Sequence, residues 1–271
     1  MDGHRLTLLI DAGNTRVKAG WVTEDGLREP GALALAHSSL SHFSYWLERL
    51  PGEVKAALGV SVAAGTLNAQ IEDILFRRAN VKMQWLTSSP AAGGVLNLYD
   101  QPESLGRDRW VALIGLARRT PEPALLASFG TATTVDLLGP ATDSEPSGWR
   151  RFEGGLILPG PELMRMSLAK GTAGLPYAQG KCAPFPRNTH TAISSGVAAA
   201  QAGAVMRQWH HARDMLGRPP LLYCSGGGWP DVAEEMEVAL AGACERAGLP
   251  AAQPLWVETP VLDGLAALAG D

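Results

Sequence analysis

The stretch "LLIDAGNTRVKAGWV", residues 8–22, constrains the fold more than any other part of the chain. A hydrophobic strand ends in Asp11, turns through Gly13 and Asn14, and resumes as a second strand. In that second strand Val17, Ala19 and Trp21 alternate with Arg16, Lys18 and Gly20. A hairpin turn accounts for the glycine and the asparagine, since Gly13 has no Cβ and Asn14 tolerates a left-handed backbone. It does not account for a carboxylate at the end of an apolar strand, where charge is costly unless something pairs with it. The stretch "ALLASFGTATTVDLL", residues 124–138, repeats the plan, with Ser128-Phe-Gly130-Thr-Ala132 in the places of Asp11-Ala-Gly13-Asn-Thr15. Two such hairpins, each opening a half of similar size, point to a duplicated domain with a cleft between the halves.

The rest of the chain alternates strand and helix patterns. A helix is expected over Ser38–Leu50, a buried strand at 56–63, a helix over Thr66–Ala79 and a strand near 81–86. The Pro- and Gly-rich stretch Pro90–Ser104 reads as loop. From Asp108 onward Trp110, Leu113, Ile114 and Ala117 recur at helical spacing. "RRTPEP", 118–123, ends that helix and divides the chain into expected domains 1–119 and 120–271. A polar hairpin over 139–150 leads to a strand at "GGLILPG". Long helices are expected near 191–216 and 231–247, and "LDGLAALA" forms a short C-terminal helix. The alternation predicts mixed sheets covered by helices, an α/β fold.

Composition narrows the functional classes. Apolar residues make up 46% and charged residues 18%, which excludes a disordered chain. Net charge is −4 and the isoelectric point near 5.9, so no basic field invites nucleic acid or an anionic membrane. Cys182, Cys224 and Cys244 form no CxxC pair, and the six histidines show no zinc-ligand spacing. That cysteine usage suits a reducing cytoplasm. Leu6–Ile10 is too short for a signal segment and no run is long enough to span a membrane. A soluble cytoplasmic protein is expected.

Four segments carry residues suited to chemistry. In Asp11–Lys18, Gly13 lets backbone amides approach an anion, Thr15 adds a hydroxyl and Lys18 a positive charge. Asp11 suits a hydrated Mg²⁺ that bridges phosphates. The glycine spacing is not that of the P-loop, and an ordinary hairpin with solvated charges would carry the same residues. "ASFGTATTVD" supplies hydroxyls at Thr131, Thr133 and Thr134, although β-propensity alone also favours threonine. Two such turns facing each other suit a nucleoside triphosphate. "LGRDRW", 105–110, places Asp108 between two arginines where a loop becomes a helix. Asp108 there is either an N-cap or a general base, and the arginines suit a carboxylate substrate. "RNTHTAISSG" offers Asn188, Thr189 and Thr191 as helix caps. "YCSGGGWPD" is a glycine turn that either takes an adenine face or closes a βα unit.

The ordered set "DAGNTRVKAG", "GRDRW", "GTATTVD", "GGLILPG" and "NTHTAISSG" resembles the type III pantothenate kinases, some of which are known as Bvg accessory factors. The resemblance runs from residue 8 to at least 200. It implies two RNase-H-like domains of the acetate and sugar kinase/actin-like superfamily around a nucleotide cleft. By the same resemblance Asp11, Ala12, Gly13, Asn14, Thr15, Arg16, Val17 and Lys18 form the ATP phosphate loop, with Asp11 serving Mg²⁺, and Thr131 joins from the second hairpin. Asp108 becomes the base that accepts the pantothenate hydroxyl proton. Tyr99, Gly106, Arg107, Arg109 and Thr189 become pantothenate contacts, and the assembly a homodimer with the pantothenate pocket near the subunit interface.

One position departs from the family pattern. The family usually has Asp at the start of the second motif, where it holds a monovalent cation, K⁺ or NH₄⁺; this chain has Ser128. A neutral hydroxyl attracts the cation less, and Asp136 lies eight residues farther along. The implied activity is ATP-dependent phosphorylation of pantothenate to 4'-phosphopantothenate, the first step of coenzyme A synthesis. Two other readings fit the same residues: another small-molecule kinase of the superfamily, and a catalytically weak regulatory protein that acts through a protein partner.

Overall fold

The computed structural model describes residues 4–143 and 146–270, within which the chain forms two compact units. The first comprises residues 1–121, 141–152 and 259–271, and the second 122–140 and 153–258. In chain order the first unit contributes β1 (His4–Ala12), β2 (Arg16–Thr23), β3 (Leu33–Ala36), α1 (Ser41–Leu47), β4 (Gly52–Ser61), α2 (Gly65–Ala79) and β5 (Met83–Trp85). β6 (Ala91–Ala92), β7 (Val95–Asn97) and α3 (Arg107–Arg119) follow. Next come β8 (Ala124–Phe129), β9 (Ala132–Ala141) and β10 (Arg150–Pro159). α4 (Pro161–Gly171), α5 (Thr189–Leu216), β11 (Leu221–Ser225), α6 (Ala233–Arg246) and β12 (Leu255–Trp256) complete the second unit, and α7 (Pro260–Ala269) returns to the first.

The two units share one strand order. The first sheet runs β3-β2-β1-β4-β5, with β1–β2 and β2–β3 antiparallel and β1–β4 and β4–β5 parallel. In the second unit the order β10-β9-β8-β11-β12 repeats it, with β8–β9 antiparallel and β8–β11 and β11–β12 parallel. Apolar residues of period two cause this arrangement: Leu8, Ile10, Ala12, Val17 and Ala19 bury one face of the first hairpin against Phe43, Ile71 and Leu75. Leu125, Ala127, Phe129, Val135 and Leu137 do the same in the second, against Val205 and Trp209 of α5 and Met236 and Leu240 of α6. The mixed α/β fold with two sheets is therefore as expected, and the duplication is visible in the ladders themselves.

Several expected elements differ. The helix over Ser38–Leu50 is cut to a 3₁₀ turn at His37–Ser39 followed by the two-turn α1. The loop expected over Pro90–Ser104 contains a small hairpin, in which Ala92 pairs with Val95 across Gly93 and Gly94. Both glycines have positive φ, the conformation that a tight two-residue hairpin turn demands. β7 also pairs in parallel with Arg150–Phe152, a partner remote in sequence, which local pattern does not reveal. The polar hairpin over 139–150 includes Ser144 and Glu145, outside the described residues; β9 itself continues to Ala141.

α3 is buried along most of its length, from Arg109 to Leu116, and packs against α7 through facing glycines. A Cβ on Gly115 would lie 2.6 Å from the Gly264 nitrogen, and one on Gly264 would collide with the Val111 carbonyl. These two absent side chains let the helix backbones touch. They explain why the last helix of the chain returns to the first unit, and they hold the helix that carries Asp108.

Candidate active site

In the first unit the expected site residues gather at the carboxyl end of β1 and the amino end of α3. The hairpin turn closes with the Gly13 N–H donating to the Arg16 carbonyl at 3.0 Å, leaving Asn14, Thr15 and Arg16 exposed at the tip. His37 Nε2 donates to the Gly13 carbonyl at 3.0 Å and fixes the turn from outside the hairpin. Ala12 and Val17 face the core, so only their backbone is available to a ligand.

Asp11 and Lys18 are directly paired across the β1–β2 ladder. Asp11 is 9% exposed, and burial pushes its carboxyl up to about 6. Lys18 opposes the rise and the charge of Asp108 adds to it, so the three groups share one electrostatic neighbourhood. A carboxylate that is costly to ionise and faces another carboxylate suits a divalent cation, whose charge offsets both. The donor set thus fits Mg²⁺, held by Asp11 and otherwise by water and phosphate oxygens. Among the described residues no three His, Cys, Asp or Glu side chains cluster to hold a metal by themselves.

Asp108 lies in the first turn of α3 but does not cap it. The N-cap position is Gly106, with no side-chain cap, and the Asp108 carboxylate accepts the Arg109 N–H at 2.9 Å. Arg107 reaches the Ser61 carbonyl at 3.4 Å, and Ser61 pairs with Ala12 across β1–β4. The end of β4 and the start of α3 are thereby tied to the strand that carries Asp11. Arg109 is 6% exposed; its Nη1 donates to the Tyr99 hydroxyl at 2.8 Å, and its guanidinium lies 5.7 Å from the rings of both Tyr99 and Phe152. The two rings stack at 5.4 Å.

Asn97 and Phe152 were not found from sequence. Asn97 donates to the Ser89 and Pro102 carbonyls at 3.2 and 3.0 Å and accepts the Tyr99 N–H at 3.1 Å, which sets the loop that presents Tyr99. Its only sequence signal was a polar residue at the end of an apolar triplet. Phe152 had none, because its stack on Tyr99 arises from the pairing of β10 with β7, which is remote in sequence.

In the second unit Ser128 takes the place of Asp11, two residues before the turn glycine. Its cross-strand partner is Thr134 and its parallel neighbour is Ser225, so its place in the ladder is neutral on both sides. Asp136 lies on the same face two pairs deeper, opposite Leu126, buried and closely packed by Gly155. The Gly130 N–H donates to the Ala132 carbonyl at 3.0 Å, a tighter turn than the first, with Thr131 exposed at its tip. The "SGGG" stretch packs here: Gly226, with positive φ, sits against the Phe129 backbone, and the Gly228 N–H donates to the Phe129 carbonyl at 2.9 Å. Thr189 begins α5, which Asn188 caps by accepting the Thr191 N–H at 2.9 Å. Thr189 lies on the rim of a groove of about 870 Å³ lined by Met164, Leu168, Ile193 and Val197. The expected residues therefore fall into two sets: Asp11–Lys18, Tyr99 and Gly106–Arg109 in the first unit, and Ser128, Thr131 and Thr189 in the second.

Comparison with known proteins adds to this geometry. The family profile described as type III pantothenate kinase matches residues 7–211. A type III pantothenate kinase of Bordetella petrii is 47% identical, with 97% of each chain covered, and that of Bordetella bronchiseptica 45% identical with the same coverage. One from Aromatoleum aromaticum is 39% identical over 97% of this chain and 98% of its own. Among solved structures, a Baf family transcriptional activator from Campylobacter jejuni superposes with a TM-score of 0.53 at 18% identity, covering 96% of both chains. Component A of (R)-2-hydroxyglutaryl-CoA dehydratase from Acidaminococcus fermentans gives 0.51 at 13% identity, covering 97% of this chain and 96% of its own. These two likenesses concern the fold. Among the described residues no helix is long and apolar enough to cross a membrane.

Proposed function

The chain belongs to the type III pantothenate kinases, and from that premise we propose how its residues carry the reaction. The activity is ATP-dependent phosphorylation of the pantothenate hydroxyl, the first step of coenzyme A synthesis. The observation that carries the residue assignment is the shared neighbourhood of Asp11, Lys18 and Asp108 at the junction of β1, β2 and α3.

Asp108 orients the pantothenate hydroxyl and accepts its proton as the oxygen attacks the γ-phosphorus and ADP leaves. A carboxylate serves here because phosphoryl transfer through a loose transition state needs alignment more than a strong base. The Gly13–Thr15 turn and the Gly130–Thr131 turn present backbone amides and hydroxyls to the phosphates, and Lys18 supplies positive charge. Asp11 would hold Mg²⁺, which would supply positive charge to the phosphates. Arg107 and Arg109 face the pantothenate carboxylate, Arg109 already oriented by Tyr99. Thr189, in the second unit, is a proposed pantothenate contact on the family resemblance. We extend the proposal to a cytoplasmic homodimer, as the family resemblance implies; sedimentation of the purified chain tests its mass.

At Ser128 the donors are neutral oxygens, so the proposed monovalent cation is held weakly. The test is ADP release with ATP, Mg²⁺ and pantothenate, with and without K⁺ or NH₄⁺. Turnover that requires pantothenate is the expected result. Turnover with another alcohol but not with pantothenate would move the substrate assignment elsewhere in the superfamily.

A further inference from the structure

Gln201 lies on the buried face of α5, twelve residues after Thr189, and is wholly enclosed. Its Nε2 donates to the Pro159 carbonyl at 2.8 Å and lies 3.3 Å from Met164 Sδ, while its Oε1 has no partner among the described residues. An enclosed amide with one end unpaired costs stability relative to an apolar residue of the same size. Packing alone therefore gives no reason for a glutamine at this position.

The reason lies in what Pro159 leads to. The next residue, Gly160, donates its N–H to the Thr131 carbonyl at 2.9 Å. A Cβ on Gly160 would collide with the Gly130 carbonyl, so the two backbones are in direct contact. The connection runs from the Gln201 amide to the Pro159 carbonyl, along the chain to Gly160, and across to the tip of the second hairpin. Gly226 and Gly228 hold the Phe129 backbone, and a Cβ on Gly228 would lie 3.1 Å from Pro161, so the segment that follows Gln201's anchor point braces the same corner of the hairpin.

We propose that Gln201 is a positioning residue for the second phosphate turn: by fixing the Pro159–Gly160 backbone, it sets where Thr131 is presented to the nucleotide. This rests on the assignment of Thr131 as a phosphate contact made above. A long, well-packed helix is a suitable anchor, because phosphate-binding turns work only when their donors are held near productive geometry by supporting hydrogen bonds.

Gln201→Met keeps side-chain length and volume and removes the donor. The expected result is a KM for ATP raised about tenfold, a kcat at saturating ATP reduced by less than about threefold, and an unchanged KM for pantothenate. Val205→Ala, one turn farther along the same helix and buried in the second unit's core, serves as the structural control: it lowers Tm and leaves the KM for ATP unchanged. Gln201→Glu gives a second readout that also decides the matter if the Met variant does not fold. A carboxylate cannot donate to Pro159 but a protonated carboxyl can, so its ATP defect relative to wild type should shrink as pH falls from about 8 to about 6. A wild-type KM for ATP in both variants overturns the proposal, as does a Gln201→Met profile indistinguishable from that of Val205→Ala. Loss of the underlying reaction assignment is seen separately, as wild-type protein that forms no ADP in response to pantothenate.

Discussion

Asp11 and Lys18 face one another across the first hairpin, the acid at the end of β1 and the amine in β2, and the amine does not fully offset the burial of the acid. The Asp11 carboxyl stands at about 6 rather than 3.8. A folded pKa above the unfolded one means that stability present at low pH is lost as pH rises between those values. Above about pH 6 the native state carries a penalty of up to about 3 kcal/mol at this one side chain. Asp11→Asn should therefore be more stable than wild type by about 1–3 kcal/mol at pH 8 and no more stable at pH 4, while losing Mg²⁺-supported turnover. Thermal melts at the two pH values, beside an ADP-release assay, check both halves.

The same shift predicts a coupled pH and metal dependence. Binding of Mg²⁺ favours the ionised carboxylate and releases a proton below about pH 6. The acid limb of ATP-dependent turnover should fall near pH 6 at low Mg²⁺ and move to lower pH as Mg²⁺ is raised. Profiles of kcat/KM at several Mg²⁺ concentrations measure this. A limb that stays in place would show that another group controls it.

Asp108→Asn removes the proton acceptor but leaves the first turn of α3 intact, since an amide oxygen also accepts the Arg109 N–H. The expected loss in kcat is about 10²–10⁴-fold, with the dissociation constant for ATP within about twofold of wild type. Calorimetric titration of the nucleotide beside steady-state kinetics separates the two quantities. Near-normal turnover would remove Asp108 from its role.

Ser128→Asp restores a charge at a position whose ladder partners, Thr134 and Ser225, are neutral. The K⁺ concentration for half-maximal activation should fall by about tenfold, equivalent to ~1.4 kcal/mol of cation binding. A K⁺ titration of both proteins at constant ionic strength reads this directly.

Gly264→Ala adds a methyl group where the backbone of α7 meets the Val111 carbonyl of α3. Neither helix axis can give way without moving the buried face of α3, so a loss of about 1–3 kcal/mol in stability is expected. Denaturant unfolding measures it, and a wild-type midpoint would show that the crossing is looser than its geometry implies.

The sequence by itself determined the parts governed by short periods. Alternation at 17–22 and 124–138 specified the two hairpins, because a strand with one buried face has only one register that buries its apolar set. The turn glycines, the helix after Asp108 and a cap among Asn188, Thr189 and Thr191 were legible for the same reason, each depending on neighbours within a few residues; the structure chose Asn188. The tertiary structure alone decided what long-range contact controls. The β6–β7 hairpin was hidden because β7 gains its main partner from Arg150–Phe152. Phe152 was invisible as a support of Tyr99, and Gln201 as a support of the second turn, since each meets a segment remote in sequence. Asn97 acts locally but shows its role only once the loop folds its carbonyls around it. The return of α7 to the first unit rests on Gly115 and Gly264, residues that carry no hydrophobic signal and matter only because two helix backbones meet there. Even Asp11, singled out at once as an anomaly, acquired a pKa only when burial, Lys18 and Asp108 were placed around it.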